Sequence, residues 1–350
     1  MDDPEVIAVR RDEQLNVTPL EPYLREHLSG ANGAFSIRQF GGGHANLTYL
    51  IQFGENEFVL RRPPLGRIAP SAHDMAREHR VLSHLYKHFP LAPQSYHLCE
   101  DVSVIGTPFH VMERRRGVVI RTDLFPPFAE DEVMAKRIGN SIVDTLADLH
   151  HLDPTEIGLG DLGHPEGYLE RQITGWIQRW EAAQDRPHPE ADSLTAWLHD
   201  NRPAQTSASL VHNDYKLDNI LVDGGDPAKF IAVLDWDMST RGDPLCDLGY
   251  LLNWWGEPGD DQSWIKAGSL PSWRDGFPSR TDVVDRYIAR TGIDPVSIQW
   301  HHVFGTFRLA VIIQQIYIRY LRGQTRDRRF RWYGARVATL IEKSLTLAEV

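Results

Sequence analysis

Two short stretches of the sequence place oxygen-bearing side chains at the ends of apolar runs. In "LVHNDYKLDNILV" the carboxylate of Asp214 precedes the amide of Asn219 by five residues, and in "IAVLDWD" Asp235 and Asp237 follow an apolar run. A carboxylate can accept a proton from a hydroxyl group, and carboxylate and amide oxygens suit Mg²⁺. Such residues also make ordinary turns between strands, so either stretch alone is ambiguous. Their pairing favours the catalytic interpretation.

The residues that must position these groups begin with a small predicted sheet. Alternating apolar residues predict three strands, joined by a glycine loop and a tight turn, in "FSIRQF-GGGHAN-LTYLIQF-GENE-FVLRR". A further hairpin, "VSVIG-TPFHVME", is predicted to end near residue 113. With one helix between these parts, the order is β-β-β-α-β-β. This order indicates an antiparallel sheet that carries one main helix.

Two helices are predicted beside this sheet. The segment that opens with "TPLE" has the form of a capping box with proline in the first turn, and predicts a short helix that ends near Gly30. A longer helix is predicted from Ser71 to about Phe89, with Ser71 and Asp74 as its capping pair.

Beyond Gly117 the pattern becomes helical. Residues 130–150 carry apolar side chains at a helical period. The apolar run 303–318 contains Arg308 and two glutamines, so it predicts a buried helix and not a membrane span. Residues 183–205 and 256–282 are rich in Pro, Gly, Asp and Ser, and loops are predicted there.

The chain length and the change in pattern predict two lobes. The chain has 350 residues, about twice the size of a common domain. The boundary is predicted at "ERRRG", residues 113–117, which separates residues 1–113 from residues 118–350.

The composition restricts the partners and the compartment. The formal net charge of −11 argues against general nucleic-acid binding. Two cysteines are too few for a disulfide framework or a zinc cluster. The acidic N-terminus lacks an apolar stretch of signal-peptide length, so we expect a cytoplasmic protein without a membrane partner. The composition leaves the oligomeric state open.

The order His212, Asp214 and Asn219, followed by a strand that ends in Asp235, resembles the catalytic arrangement of protein kinases. The longer pattern "HNDYKLDNILV…VLDWD…GDPLCDLGYLL" resembles the aminoglycoside phosphotransferase family, over about residues 33–320. Trp236, Asp237 and Asn213 stand where protein kinases carry Phe, Gly and Arg, which favours this small-molecule branch. The resemblance implies an α+β, protein-kinase-like bilobal fold, with a small antiparallel-sheet lobe and a larger, mostly helical lobe. It also implies that residues 1–113 form a nucleotide-binding lobe, and that residues 118–350 carry the catalytic loop, the metal site and the acceptor pocket.

The resemblance also implies roles for these residues. Asp214 would orient or deprotonate the substrate hydroxyl, while Asn219 and Asp235 would hold Mg²⁺ against the phosphates of ATP. Asp237 would help at the metal or the substrate. Asp247 and His212 are expected to have structural roles in fixing the catalytic loop.

The glycine-rich loop suggests a phosphate contact. Glycine lets the backbone approach a phosphate and donate N–H groups to it. A strand follows this loop, which argues against a Rossmann fingerprint, and the sequence has no G-K-[ST] of a Walker loop. A flexible turn is the simpler alternative. In the resembling family such a loop covers the nucleotide. The resemblance therefore implies that ATP is bound by Gly41, Gly42, Gly43, His44, Ala45 and Asn46.

An independent test of the resemblance is the glutamate on the predicted long helix. Glu78 falls on the apolar stripe of this helix, where an unpaired charge is costly. The resemblance predicts a basic partner at the end of the third strand, where Arg61 replaces the usual lysine. The alternative is that Glu78 lies at the edge of the stripe in solvent. At the hinge, Met112 would pack on adenine and backbone groups near Glu113 would bind it.

The acceptor is not fixed by these motifs. The segments "FVLRRPP…AHDMAREHRVLSHL" look most like the kinase domains related to those fused to some acyl-CoA dehydrogenases, which points to hydroxyacyl-CoA compounds. Aminoglycosides and choline are alternatives, and a pseudokinase that binds nucleotide without turnover is an alternative of another class. Aromatic walls of an acceptor pocket are expected from Trp254, Trp255, Trp264 and Trp273. The arginines of residues 319–336 either face an anionic acceptor or form a solvated helix face.

Overall fold

The computed structural model describes residues 5–42, 46–65, 74–205, 207–267, 270–325 and 327–350. The chain divides into two compact units. The first unit extends to Gly117 and also contains residues 157–159 and 231–239, and the second unit contains the remainder. The segment with Asp235 and Asp237 therefore belongs to the first unit, although it follows the predicted boundary at residues 113–117. The assignment of functions to two lobes stays a prediction.

Six strands form one antiparallel sheet in the first unit, in the order β1-β2-β3-β4-β6-β5. The turn between β3 and β4 begins at Gly54, whose φ of 59° lies in the left-handed region that glycine adopts without strain. The core on one face of this sheet contains aromatic and aliphatic side chains from β3, β4 and β6. The strands are β1 (Val6–Ile7), β2 (Phe35–Phe40), β3 (Leu47–Phe53), β4 (Asn56–Arg62), β5 (Ser95–Cys99) and β6 (Phe109–Glu113).

The helices of this unit begin and end differently from the prediction. The first helix, α1 (Val17–His27), begins after Asn16, whose side chain accepts the N–H of Thr18, so the predicted start and the predicted end near Gly30 are wrong. The main helix, α2 (Met75–Leu85), begins after Asp74, which accepts the N–H of Arg77. Ser71, its predicted capping partner, lies outside the described residues.

One predicted strand of this unit is a helix. The segment "VSVI" forms α3 (Val102–Ile105). The strand before β6 in the chain, which takes the predicted place of this segment beside β6, is β5. The Asp101 side chain accepts the N–H of Ser103 at 2.8 Å, and Gly106 ends the turn with a φ of 85°. This cap and this glycine stabilise a helical turn in residues whose side chains would otherwise favour a strand.

The second unit is mainly helical. Its strands form short pairs, in which β8 pairs with β11 and β7 pairs with β9. The strands, including the one that leads into residues 231–239, are β7 (Val118–Val119), β8 (Ser209–Val211), β9 (Ile220–Val222), β10 (Phe230–Val233) and β11 (Thr240–Gly242). The helices are α4 (Glu132–His150), α5 (Tyr168–Ala183), α6 (Pro189–Asp200), α7 (Leu245–Trp254), α8 (Gln262–Ala267), α9 (Arg280–Thr291), α10 (Ile298–Leu321) and α11 (Tyr333–Ala348).

The helical period of residues 130–150 is confirmed by α4, but both predicted loop regions contain helices. Residues 183–205 contain α6, which has proline in its first turn and buries Ala191, Leu194 and Leu198 on one face. Proline is compatible with a helix start because the first N–H groups need no partner within the helix. Residues 256–282 contain α8 and the start of α9. Loop composition therefore gave the wrong prediction where helices are short and polar.

Helices α7 and α10 touch through their backbones. A Cβ atom on Gly249 would lie 2.3 Å from the carbonyl oxygen of His301, and one on Gly305 would lie 2.7 Å from that of Gly249. This close approach packs the backbone of α7 directly against that of α10. The prediction of a buried helix at residues 303–318 is confirmed by α10. Within the described ranges, none of the helices combines the length and hydrophobicity of a membrane span.

Candidate active site

The loop between β8 and β9 holds the carboxylate of Asp214 between two side chains. Lys216 Nζ lies 2.8 and 2.7 Å from the two carboxylate oxygens. The amide nitrogen of Asn219 donates to Asp214 Oδ2 and to its backbone carbonyl, both at 2.8 Å. The side chain of Asp214 stays 20% exposed, so the carboxylate is fixed and still reachable. Because the Asn219 nitrogen is used on Asp214, its carbonyl oxygen is the atom that can face a cation.

Lys216 is a site residue that the sequence reasoning missed. Its side chain is only 13% exposed, and its Nζ lies 5.2 Å from the centre of the Trp254 ring. Burial alone would lower the pKa of Lys216, but the Asp214 carboxylate outweighs it and the pKa lies above its ordinary value. The available signal was the spacing of two in "DYK", because alternate side chains of an extended segment project on the same side.

One buried carboxylate holds the backbone of the loop between β8 and β9. Asp247, on α7, accepts the backbone N–H groups of His212 at 2.6 Å and Asn213 at 2.7 Å. His150 Nε2 lies 3.2 Å from the same carboxylate. Burial would raise the pKa of Asp247, but the hydrogen bond and charge of His150 hold it below its ordinary value. The structural role predicted for Asp247 is confirmed by this geometry.

Two further contacts shape this loop. Asn213 has a φ of 67°, and its side-chain oxygen accepts the hydroxyl of Tyr168 at 2.8 Å. Asparagine tolerates the left-handed region better than most residues. His212 is fully buried, and its Nδ1 accepts the backbone N–H of Asp214 at 3.2 Å. The predicted loop-fixing role of His212 is therefore confirmed.

The second acidic stretch is anchored by its tryptophan. Trp236 is fully buried, its indole nitrogen donates to the carbonyl of Val233 at 2.8 Å, and its ring packs edge-on against Phe89. Asp235 before it has a φ of 71°, a left-handed conformation that costs energy for a non-glycine residue. Asp237 after it accepts the side-chain amide of Asn46 at 3.0 Å. One anchor thus positions both carboxylates.

The predicted pair of Arg61 and Glu78 is confirmed. One terminal nitrogen of Arg61 donates to Glu78, the other donates to Asp235, and Glu78 is completely buried. The alternative with Glu78 in solvent is therefore wrong. Burial would lower the pKa of Arg61, but the carboxylates of Asp235 and Glu78 raise it above its ordinary value. The planar guanidinium spans two carboxylates, which the single charge of a lysine does less well.

The glycine loop is described only at its edges. Gly41 donates its N–H to the Glu5 carbonyl at 2.9 Å, and its own carbonyl accepts from Arg10 at 3.0 Å, while Gly42 is exposed. Three of the residues predicted to bind ATP lie outside the described residues, namely Gly43, His44 and Ala45. Their contacts with nucleotide stay predictions, as does that of Asn46.

At the predicted hinge, one backbone donor is already used. The N–H of Glu113 donates to the Gln94 carbonyl at 2.8 Å, and the Glu113 side chain accepts the N–H of Gln94 and pairs with Arg115. Met112 is buried in β6. An adenine contact in this segment must therefore use backbone groups other than the Glu113 N–H. The adenine-binding role itself stays a prediction.

Three carboxylates lie close to one guanidinium in the described part of the first unit. Glu78, Asp235 and Asp237 surround the one guanidinium of Arg61, and burial, together with Asp235 and Glu78, raises the pKa of Asp237 to about 7. No group of three or more His, Cys, Asp or Glu side chains in the described part of the chain is arranged as a complete metal site. The oxygen donors of Asp235 and Asp237 nevertheless fit a hard divalent cation. Asn219 belongs to the second unit, so its convergence with them stays a prediction.

Three of the four predicted acceptor-pocket tryptophans line one small cavity. Trp254, Trp264 and Trp273 surround it together with Asn253 and Lys343. Both amide atoms of Asn253 are buried without a hydrogen-bond partner in the structure. Trp255 has a different environment, because its indole nitrogen donates to the carbonyl of Pro278 at 2.9 Å and its ring is buried. The fourth tryptophan is thus a packing residue.

The comparison with protein families decides the assignment. The family described as "Phosphotransferase enzyme family" matches residues 36–279. The chain belongs to this family. The predicted class, a small-molecule phosphotransferase, is confirmed at the family level.

Individual proteins agree with this family assignment. Acyl-CoA dehydrogenase family member 11 of Rattus norvegicus is 35% identical over 327 residues, which are 91% of this chain and 41% of that protein. The chain thus spans about two fifths of this relative's length. A Ralstonia eutropha JMP134 structure, provisionally described as an aminoglycoside phosphotransferase, is 30% identical with a TM-score of 0.78, over 96% of this chain and 99% of that one.

A more distant structure supports the fold alone. A thermostable mutant of aminoglycoside phosphotransferase APH(4)-Ia, in a ternary complex with AMP-PNP and hygromycin B, is 16% identical with a TM-score of 0.58. The match covers 93% of this chain and 98% of that one. The predicted α+β, protein-kinase-like fold and the predicted family resemblance are therefore confirmed.

Proposed function

We propose that this chain is an ATP- and Mg²⁺-dependent phosphotransferase that moves the γ-phosphoryl group of ATP to a hydroxyl group of a small molecule. The observation that carries the proposal is the carboxylate of Asp214, which Lys216 and Asn219 fix while 20% of its side chain stays exposed. A reaction whose rate depends on the position of a hydroxyl group needs a carboxylate that is both fixed and accessible. The family assignment supplies the reaction class.

In this proposal the substrate hydroxyl binds at Asp214. The hydroxyl oxygen forms a bond with the γ-phosphorus, the bond to the bridging oxygen breaks, ADP leaves, and the hydroxyl proton passes to Asp214. Lys216 contacts both oxygens of Asp214 and thereby holds the carboxylate in one orientation. Asp214 therefore acts mainly by orienting the hydroxyl and accepts the proton late in the reaction.

The remaining roles concern phosphate charge. Asp235, Asp237 and the carbonyl oxygen of Asn219 are the residues that would hold Mg²⁺. The ion, when bound, neutralises charge on the phosphate oxygens. Arg61 donates to Asp235 with one end of its guanidinium and would contact phosphate oxygens from that side. Transfer then depends on positioning and charge stabilisation, with no covalent enzyme intermediate.

For the acceptor we propose a hydroxyl-bearing acyl compound of the hydroxyacyl-CoA type. The observation that supports this class is the long match to a protein named as an acyl-CoA dehydrogenase family member. The arginines between residues 319 and 331 that the structure describes are exposed, which favours a solvated face for them over a role in the acceptor site.

The test is an acceptor screen with Mg²⁺-ATP, read by mass spectrometry, that includes a hydroxyacyl-CoA, choline and an aminoglycoside. We expect phosphorylation of the acyl compound, reduced by about 100-fold or more in Asp214→Asn, with Mg²⁺-ATP affinity retained. Asp218→Asn is the matched control, because Asp218 lies in the same loop and its exposed side chain faces Arg121 at 3.5 Å. Phosphorylation of only choline or the aminoglycoside would replace the acceptor class and leave the reaction class intact.

The alternative of another class is a pseudokinase. It predicts that Mg²⁺-ATP binds, for example as a rise in melting temperature, while no acceptor in the screen is phosphorylated. Replacement of the usual lysine by Arg61 favours this alternative, whereas the intact restraints on Asp214 favour turnover. If neither binding nor transfer is detected, both functions are excluded.

A further inference from the structure

Glu78 contacts a buried residue to which the proposed phosphotransferase activity assigns no role. His110, on β6, is fully buried, and its Nε2 lies 3.1 Å from Glu78 Oε2. Arg61 and the backbone N–H of Trp236 contact the other oxygen, Oε1. Each oxygen of this carboxylate thus has its own donor.

The sheet places the two donors side by side. Arg61 and His110 are directly opposite each other in the antiparallel pair of β4 and β6. Side chains of directly opposed residues project from the same face of a sheet. Both therefore meet the carboxylate that α2 presents at Glu78. The position of His110 is a consequence of strand register and not of a local motif.

The hydrogen-bond directions follow from the carboxylate. Burial would raise the pKa of Glu78, but Arg61 and His110 outweigh it and hold the pKa below its ordinary value, so the group is ionised and only accepts. His110 Nε2 must therefore carry a proton in either charge state of the ring. On the other side of the ring, Ser95 Oγ lies 3.3 Å from His110 Nδ1 and 2.9 Å from His79 Nδ1.

The contact with His110 matters because Arg61 holds Glu78 by one nitrogen only. The second terminal nitrogen of Arg61 donates to Asp235, and the Nε of Arg61 is buried without a hydrogen-bond partner among the residues that the structure describes. A carboxylate held at a single oxygen can rotate about its last side-chain bond. Rotation of Glu78 would move Oε1 and with it the guanidinium. A second donor on Oε2 prevents this rotation.

We propose that His110 is a positioning residue, which fixes the Glu78 carboxylate through Oε2 and thereby orients Arg61 toward the nucleotide phosphates. The proposal rests on the proposed function for its phosphate ligand. Its core, the dependence of the Arg61 orientation on His110, is a property of the folded chain alone. A purely structural role for His110 would change stability without changing the orientation of Arg61.

Three variants separate these roles. His110→Leu removes the donor and fills most of the space, His110→Gln keeps an N–H donor without the ring, and Ser95→Ala removes the contact behind the ring. The matched control is His97→Leu, because His97 is a partly buried histidine of the same sheet that contacts the hydroxyl of Tyr23. All four are compared by the affinity for Mg²⁺-ATP and by steady-state kinetics.

For His110→Leu we expect the Kd and KM for Mg²⁺-ATP to rise about tenfold while the KM for the acceptor is unchanged, because a hydrogen bond to a charged group is lost. His110→Gln should restore the affinity to within about threefold of the wild type, and Ser95→Ala should weaken it by about threefold or less. His97→Leu should have no effect. An unchanged Kd in His110→Leu, or equal loss in the leucine and glutamine variants, would overturn the proposal.

A second readout does not need nucleotide. The terminal nitrogens of a guanidinium fixed by two carboxylates should give separate ¹⁵N resonances in NMR, and we expect those of Arg61 to coalesce in His110→Leu and to stay separate in His97→Leu. If the wild type binds no nucleotide, the proposed function fails and this measurement alone decides on His110. Separate Arg61 resonances in folded His110→Leu would then refute the positioning role.

Discussion

The buried lysine on α11 gives the sharpest prediction about stability. Lys343 is 3% exposed, and its Nζ has one hydrogen bond, to the Asn253 carbonyl at 3.0 Å. Burial, and secondly the charge of Arg280, lower the pKa of Lys343 from 10.5 to about 8. Because one pKa unit corresponds to 1.36 kcal/mol, the charged form costs about 3 kcal/mol in the folded state below pH 8. Lys343→Met should therefore stabilise the protein.

The direction of the pH dependence follows from the number of protons that Lys343 binds in the folded and unfolded states. Between pH 8 and pH 10.5 the unfolded chain keeps the proton of Lys343 and the folded chain releases it, so the free energy of unfolding of the wild type rises with pH in this window. Methionine has a similar length and no charge, but it leaves the Asn253 carbonyl without its donor, which costs about 1 kcal/mol or more. The expected net gain for Lys343→Met is about 2 kcal/mol at pH 7 and turns into a small loss near pH 10.5, where only the cost of the unpaired carbonyl remains.

The measurement is urea denaturation of both proteins at several pH values between 6 and 10. The control is Lys266→Met, the same substitution at an exposed position of α8, which should give a difference that does not depend on pH. The reasoning is refuted if Lys343→Met is less stable than the wild type at pH 7. It is also refuted if the difference between the two proteins stays constant up to pH 10.

Two further substitutions test how the second unit holds the catalytic loop. Asp247→Asn should lower the free energy of unfolding by about 3 kcal/mol. The buried carboxylate accepts two backbone N–H groups, and an amide would present a donor to one of them. Urea denaturation measures the loss, and a change below about 1 kcal/mol would contradict this role of Asp247. Gly249→Ala should cost about 2 kcal/mol or more, because its Cβ would lie 2.3 Å from the His301 carbonyl. Gly175→Ala in α5, where an added Cβ would meet no described atom within 4 Å outside the local helix backbone, should instead stabilise by about 0.5–1 kcal/mol, and equal effects would refute the packing argument.

Sequence reasoning was most reliable where one pattern is repeated over many residues. The period of α4 and the apolar length of α10 decided both helices, and the alternation of β2, β3 and β4 decided the strands. It failed where a few local contacts decide the outcome. The Asp101 cap and Gly106 determine α3, and α6 is short and polar. Such segments have weak patterns, and tertiary contacts or caps outweigh propensity.

The candidate site shows the same division. The spacing of Asp214 and Asn219, and the place of Glu78 on an apolar stripe, could be derived from the sequence and the family resemblance. His110 could not, because its contact with Glu78 depends on which residue of β6 opposes Arg61 on β4. A shift of one residue would turn the histidine to the other face of the sheet. Register of this kind is set by the whole sheet and has no local signature.

The state of the restraints also bears on whether the site is active. Asp235 keeps a left-handed conformation, Asp237 is buried with a pKa raised to about 7, and Asp247 is a fully buried carboxylate. Each of these features costs free energy in the folded chain. A chain that had lost its reaction could replace them by neutral, better-packed residues, because natural selection would no longer maintain them. Arg61 stands in place of the usual lysine, and donors on both oxygens of Glu78 hold the carboxylate that it pairs with.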